Sequence, residues 1–110
     1  MPKARTYSHY TIDAAYLLGS SIKLARKERQ LTAQDLADRA GISRSTLQRI
    51  EKGDPKCEVG LVFEVASIVG IKLFDADNDT LSQHIDRTKD KIALLPKSIH
   101  KPKQDVDDDF

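Results

Sequence analysis

The chain has 110 residues, 39% of them hydrophobic and 32% charged, and its formal net charge is +1. This length suits one small domain with a tail, and the single cysteine excludes an intrachain disulfide and fits a reducing cytoplasm. Residues 1–75 hold 12 Lys and Arg against 9 Asp and Glu, a net of +3, whereas residues 76–110 have a net of −2. The overall charge therefore does not indicate a nucleic-acid partner, and only a local basic face could do so.

Residues 1–10 show no helical period and are interpreted as an N-terminal arm. Lys3 and Arg5 could contact DNA phosphate, but a frayed terminus accounts for the same pattern. Thr11 is a candidate N-cap for a first helix over residues 12–28, and a glycine inside that stretch predicts a bend or a later start. The buried stripe of this helix consists of Leu18, Ile22 and Ala25.

Residues 32–53 predict two short helices joined by a tight turn. The small and apolar side of the first helix is formed by Leu36, Ala37 and Ala40. Gly41 tolerates the positive φ that an abrupt helix end needs, and Ile42 follows as an apolar plug between the helices. Ser43 is a good N-cap for the second helix, because its hydroxyl can accept a backbone N–H.

The second helix of this pair has two different sides. Leu47 and Ile50 form one buried stripe, and Gly53 ends the helix. The other side carries Arg44, Ser45, Gln48 and Arg49. Arg bonds guanine bidentately and Gln does the same for adenine, so this side suits the DNA major groove. An ordinary αα-hairpin with a solvated polar face is the alternative, but the order of caps, glycines and apolar positions favours DNA binding.

A fourth helix and a short strand are predicted after this pair. The helix covers residues 58–69 and has a wide apolar face. The β-prone residues that follow are Ile71, Lys72, Leu73 and Phe74. A lone strand of this length cannot satisfy its own backbone groups, so we expect it to pair with the same strand of a second copy across a two-fold axis.

The last third of the chain predicts one more helix and a tail. Asp79 or Thr80 could cap a helix that ends by residue 95, and its apolar stripe is thin. Residues 96–110 combine lysines, an acidic cluster and a terminal Phe110, and they are interpreted as a disordered acidic tail. The tail could be a docking peptide for a basic groove or could simply aid solubility.

No pattern for catalysis, a cofactor or a membrane span is visible. His9, His84 and His100 follow no metal-ligand spacing, and no Gly-rich phosphate loop or nucleophile motif is present. Cys57 has no second cysteine and no neighbouring base, which indicates an inert thiol. No apolar run approaches membrane-spanning length, and no signal peptide is recognisable. We therefore expect neither an enzyme nor a metal site nor a membrane partner.

The pattern resembles the Cro/C1-type (Xre) helix-turn-helix family, to which phage repressors and many antitoxins belong. The resemblance covers residues 18–75 and rests on Ile22, Ala25, Arg26, Arg29, Leu31, Thr32, Leu36, Ala37, Gly41, Ile42, Ser43, Leu47, Ile50, Glu51 and Gly53. It implies an all-α, lambda-repressor-like bundle of four to five helices with one short C-terminal strand that pairs across a dimer. The stretch IVGIKLFDAD resembles the HipB-like antitoxins most.

The resemblance also implies specific residue roles. Arg26 is expected to pair with Glu51 and to fix the angle between the first and third helices. Two positions depart from the family pattern. Ala33 stands where a phosphate- or base-contacting Gln is usual, with Gln34 beside it, and Gln30 stands where the preceding helix commonly ends in Gly or Asn.

The sequence as a whole predicts a dimeric, cytoplasmic transcriptional repressor that binds a palindromic operator. Its domains are an arm (1–10), a helix-turn-helix domain (11–75) with a dimerisation strand (71–74), a C-terminal helix (76–95) and a tail (96–110). Bases would be read by Ser43, Arg44, Ser45 and Gln48. Phosphates would be held by Thr32, Gln34, Thr46, Arg49 and Lys52. The resemblance adds a HipA-like kinase toxin as a partner, and the alternative is a protein-interaction module that no longer reads DNA.

Overall fold

The structure is a computed structural model that describes residues 5–99 and residue 101. Five α-helices occur in these residues, and they are α1 (His9–Glu28), α2 (Ala33–Ala40), α3 (Arg44–Glu51), α4 (Val59–Ile68) and α5 (Asn78–Ala93). The chain divides into two compact units, residues 1–75 and residues 76–110. The predicted all-α class is confirmed for the described part of the chain. The start of the arm and most of the tail lie outside the described residues.

The helix α1 begins three residues before the predicted start. Its N-cap is Ser8, whose side-chain oxygen accepts the backbone N–H of Thr11 at 3.2 Å. The prediction that Thr11 caps the helix is therefore wrong, because two hydroxyl residues three positions apart can both serve and the earlier one does. Gly19 lies inside the helix without interrupting it, so the expected later start is also wrong, and the expected bend stays a prediction.

The predicted caps and stops of the two short helices are confirmed. Thr32 forms a capping box with Asp35, in which each residue's side chain accepts the other's backbone N–H at 3.0 Å. Gly41 ends α2 with φ +70, the left-handed conformation expected of it. Ser43 then caps α3 by accepting the backbone N–H of Thr46 at 3.0 Å. Because α2 ends at Gly41 and α3 begins directly after Ser43, the turn between the two helices is very short, and this turn sets the angle between them.

The apolar sides of α1, α2, α3 and α4 meet in one core within residues 5–75. Its buried members are Ile22, Leu36, Ala37, Leu47, Ile50, Val65, Ala66 and Val69. The helix α4 contributes Val65 and Ala66, and its C-cap Val69 completes the core beneath α2. Such a core buries one side of α3 and leaves the opposite side at the surface.

The prediction of a strand over residues 71–74 is wrong. Ile71 and Lys72 have no regular structure, and Leu73, Phe74 and Asp75 form a short 3₁₀ helix. Phe74 and Asp75 have φ values of +58 and +57, which is incompatible with an extended strand. A β-prone segment without a mate gains no ladder hydrogen bonds, so local turn formation and the packing of Ile71 and Leu73 on the core decide its conformation.

Gln30 also adopts the left-handed conformation, with φ +60. This is the position at which the resembling family commonly has Gly or Asn, the residues that tolerate positive φ best. The chain turns here from α1 toward α2, and the backbone N–H of Leu31 closes the turn on the carbonyl of Arg26 at 3.1 Å. The departure from the family pattern therefore changes the residue but not the turn.

The second unit is described by α5 and its flanking residues. Asp77, rather than Asp79 or Thr80, is the N-cap, and its carboxylate accepts the backbone N–H of Thr80 at 2.8 Å. Leu94 is the C-cap, so the helix ends by residue 95 as predicted. None of the helices within residues 5–99 has both the length and the apolarity needed to cross a bilayer.

The backbones of α1 and the end of α3 approach each other closely at two glycines. A Cβ atom on Gly19 would lie 2.3 Å from the carbonyl oxygen of Ile50, and one on Gly53 would lie 2.6 Å from Cα of Tyr16. Only hydrogen atoms fit in these positions. The contact places α3 against α1 more tightly than any side-chain packing would permit.

We expect Gly19→Ala to lower the free energy of unfolding by about 1–3 kcal/mol, because the added methyl group must push the α3 backbone away. Gly60 is the matched control, since it is also helical but has no atom within 4 Å of an added Cβ. Gly60→Ala should raise stability by about 0.5–1 kcal/mol. Urea unfolding followed by circular dichroism measures both, and equal effects of the two substitutions would contradict the close approach.

Candidate nucleic-acid interface

The helix α3 is held by its buried side. Leu47 is completely buried and Ile50 nearly so, and both belong to the core shared with α1, α2 and α4. At the start of the helix, the Ser43 hydroxyl donates to the Thr46 hydroxyl at 2.9 Å in addition to its capping bond. Ser43 and Thr46 thus already stabilise the first turn, and Ser43 keeps only limited hydrogen-bonding capacity for another partner.

Three predicted base-reading residues project freely from the other side of α3. Arg44, Ser45 and Gln48 are exposed, and their side chains make no hydrogen bond or ion pair with residues 5–99 or 101. They lie on adjacent turns of a helix whose opposite side is fixed in the core. Their donor groups are available to a ligand without the loss of any internal bond.

Arg49 lies on the same helix but is already paired. Its Nε and Nη2 atoms both lie 2.9 Å from the Oδ2 atom of Asp54. The backbone N–H of Lys56 and the guanidinium of Arg49 lower the pKa of the Asp54 carboxyl, and Asp54 in turn raises the pKa of Arg49. This surface pair, which was not predicted from the sequence, fixes the direction of Arg49 at the end of α3.

The edge of α2 next to this surface is also arranged by internal bonds. Thr32 is occupied by its capping box with Asp35, and this bonding lowers the pKa of Asp35. Gln34 donates to the carboxylate of Asp38 at 2.8 Å along the surface of α2. Ala33 is half-buried and packs against the core. Thr32 and Gln34 were predicted to contact phosphate. Both side chains already have hydrogen-bond partners within the chain.

Arg26 and Glu51 form a buried bidentate ion pair between α1 and α3. The Nε atom of Arg26 lies 2.7 Å from Oε2 of Glu51, and Nη2 lies 3.0 Å from Oε1. The two side chains are only 10% and 7% exposed. Arg26 also donates through Nη1 to the carbonyl of Leu31 at 2.9 Å, and the Glu51 carboxylate raises its pKa. The geometry is the one that the family resemblance implies for this pair.

A polar cleft of about 340 Å³ opens beside this ion pair. It is lined by Lys23, Arg26, Ala33, Arg44, Gln48, Glu51 and Lys52. Glu51 is already matched by Arg26, so the charges of Lys23, Arg44 and Lys52 remain uncompensated in the cleft. These three cations are exposed and form no ion pair within the described residues. The cleft therefore concentrates positive potential directly beside the free side of α3.

Lys23 is the cleft residue that was not predicted from the sequence. It lies one turn before Arg26 on α1, at a spacing of three residues, so the predicted Arg26–Glu51 pair already placed it near α3.

The described residues form no cluster of side chains typical of a catalytic or metal site. No group of three or more His, Cys, Asp or Glu side chains could hold a metal within residues 5–99 and 101, and burial raises the pKa of the Cys57 thiol.

Comparison with known proteins agrees with this geometry. Residues 22–75 match a family model described as Helix-turn-helix, which here spans the end of α1 and all of α2, α3 and α4. Over 56 residues the chain is 38% identical to a protein of Methanocaldococcus jannaschii named as an uncharacterized HTH-type transcriptional regulator. That alignment covers 51% of this chain and 85% of the relative.

We expect Glu51→Ala to lower the free energy of unfolding by about 3–5 kcal/mol, because it leaves the buried Arg26 guanidinium without its counter-ion. The double variant Arg26→Met with Glu51→Leu removes both charges and should recover most of that loss. Chemical denaturation of the three proteins measures the effect. A double variant as unstable as the single one would show that the packing around the pair, and not its charge, is what matters.

Proposed function

The chain belongs to the helix-turn-helix family, and from this membership we propose that it is a transcriptional regulator that binds DNA and represses its own promoter. The observation that carries the proposal is the free side of α3. Arg44, Ser45 and Gln48 are exposed and unpaired within the described residues, while Leu47 and Ile50 hold the same helix in the core. A rigid helix with free guanidinium and amide groups is what readout of base edges requires.

In this proposal α3 enters the major groove and distinguishes bases. Arg44 donates to guanine O6 and N7, Gln48 pairs with adenine N6 and N7, and Ser45 contacts either type of base. Ser43 lies at the start of the helix and contributes through the hydroxyl that also caps it. Specificity then comes chiefly from Arg44 and Gln48, because bidentate contacts discriminate more strongly than single bonds.

Phosphate contacts would flank the recognition helix on both sides. The proposed residues are Thr32, Gln34, Thr46, Arg49 and Lys52, with Lys23 added from the cleft. Lys23 and Lys52 are unpaired and need no rearrangement, whereas Gln34 and Arg49 would exchange an exposed internal partner for a phosphate. An exposed pair of this kind adds little to stability, because water competes for its polar groups, so the exchange is energetically accessible.

Two copies would bind one operator. Members of this structural class commonly bind as dimers with recognition helices roughly 34 Å apart on a palindromic site. A regulator with two copies gains affinity and specificity from contacts with both half-sites. A short α3 with only three free side chains for base contacts needs this gain. The protein would act in the cytoplasm, where its promoter is accessible.

We propose further that the regulator is the antitoxin, or an antitoxin-associated component, of an operon with a HipA-like kinase toxin. The support is the resemblance of residues 68–77 to the HipB-like antitoxins. A kinase-like reading frame beside the gene, whose product copurifies with this protein at a defined stoichiometry, is the expected finding. A gene that stands alone and a kinase that does not bind would leave a free-standing repressor.

The alternative function is a protein-interaction module without sequence-specific DNA binding. The observations that favour it are Ala33 at the usual Gln position and the internal partners of Gln34 and Arg49. Gel-shift titrations at several salt concentrations separate the two functions. A regulator discriminates its own promoter from random DNA, and its affinity falls steeply as salt rises. Flat and weak binding to both DNAs would favour the module.

We expect Arg44→Ala to weaken binding to the cognate operator by about 1–3 kcal/mol and to relax the base preference at one position. The loss of a bidentate guanine contact is the reason. Competition binding against operators substituted at each position measures both effects. An equal loss on operator and random DNA would show that Arg44 contacts only the backbone.

We expect Lys23→Gln to weaken binding to all DNA sequences alike and to reduce the salt dependence by about 0.9 in slope, corresponding to one phosphate contact. Lys72→Gln is the matched control, because Lys72 is an exposed lysine of the same unit that does not line the cleft. Fluorescence anisotropy over a series of salt concentrations gives the slopes. Identical slopes for wild type and Lys23→Gln would remove the cleft from the DNA interface.

A further inference from the structure

One long side of α1 is apolar and uncovered. Tyr10, Leu17 and Leu24 lie seven residues apart and are 83%, 67% and 60% exposed. Between them, Ala14 is exposed and Ser21 half-buried. These five residues, the α1 stripe, follow the alternating spacing of four and three residues that places side chains along one line of a helix.

The α1 stripe is separate from the side of α1 that forms the domain core. The core side carries Ile22 and Arg26, with Leu18 and Ala25 packed beside them. Leu17 and Leu24 precede Leu18 and Ala25 by one residue each, so they lie about 100° around the helix from these core residues. A heptad line of large apolar groups on the outer side contributes nothing to the core and is the pattern of a helix that packs on another helix.

We infer that the α1 stripe is the surface on which a second copy of this chain binds, with the two α1 helices antiparallel. Large and small residues alternate along the stripe. In an antiparallel pair, Leu17 faces Ser21 of the second copy, and Leu24 faces Ala14 of the second copy. Each leucine then fills the space above a small residue, which permits close packing of the two helices. The contact is isologous, so it closes as a dimer.

The charges beside the stripe select the antiparallel orientation. Asp13 and Lys27 lie on the same flank of α1, at the two ends of the stripe. Neither forms an ion pair with any of the described residues. An antiparallel pair brings the same flanks of the two helices together, so that Asp13 of each copy lies close to Lys27 of the other, twice. In a parallel pair the flank of one helix faces the opposite flank of the other, so these two charges cannot meet. The same register also places Tyr10 opposite Glu28 of the second copy, where the phenol can donate to the carboxylate.

This surface supplies the interface for the two-copy regulator proposed above, in place of the strand that the structure lacks among residues 71–74. Its test needs no DNA, so its failure and the failure of DNA binding are distinguishable. Sedimentation velocity of the full chain over a wide range of protein concentration should show a monomer that converts to a dimer. Leu17→Glu should weaken self-association by about tenfold or more, because it places two like charges in the pair.

Tyr16→Glu is the matched control, because Tyr16 is a similarly exposed apolar residue on another side of α1. It should leave self-association unchanged, and thermal unfolding should show that both variants remain folded. Asp13→Lys alone should weaken the dimer, and its combination with Lys27→Asp should restore it. A wild-type chain that stays monomeric, or a dimer that survives Leu17→Glu, overturns the inference. A charge exchange that fails to restore association overturns the antiparallel register.

Discussion

The orientation of α3 depends on its contact with α1, which combines two unlike constraints. Gly19 and Gly53 allow the two backbones to meet without side chains between them. The Arg26–Glu51 pair then fixes the two helices at a point two residues before Gly53, with every polar atom of the pair satisfied. Close packing alone would allow α1 and α3 to slide along each other, and an ion pair alone would allow the angle between them to vary. Together they leave one arrangement, since a shift in either direction separates charges that are shielded from water.

This arrangement determines which groups face the solvent beside α3. Because Glu51 neutralises Arg26, the cations that remain at the cleft are the solvated Lys23, Arg44 and Lys52. The buried pair therefore performs two tasks with the same atoms. It holds the helix, and it prevents the Glu51 carboxylate from cancelling the positive potential at the surface. A chain with a net charge of only +1 can present a local basic face in this way.

The features that the sequence predicted correctly are those encoded by neighbouring residues. The Ser43 cap, the left-handed Gly41 and the buried stripe of Leu47 and Ile50 each depend on a span of a few residues. The wrong predictions concern places where two local structures compete or where a distant residue determines the conformation. Either hydroxyl could have capped α1, and Phe74 shows that a β-prone residue can occupy a left-handed turn when no strand mate is present. The Arg26–Glu51 pair came from family resemblance, because a separation of 25 residues carries no local signal.

Arg44 and Arg49 illustrate how far a sequence pattern can specify a site. Both residues project from α3, and both carry the same guanidinium group. The structure separates them, because the loop after α3 brings Asp54 within 2.9 Å of Arg49 and leaves Arg44 free. Since Arg49 is about half exposed, its ion pair is weak and holds the guanidinium in one direction rather than making it unavailable. A phosphate with two acceptor oxygens can replace Asp54 as its partner, whereas a base edge would have to compete with Asp54 for the same donors. In the proposed function, this local geometry favours base readout by Arg44 and backbone contact by Arg49, a distinction that depends on the fold of the loop and not on the order of residues within the helix.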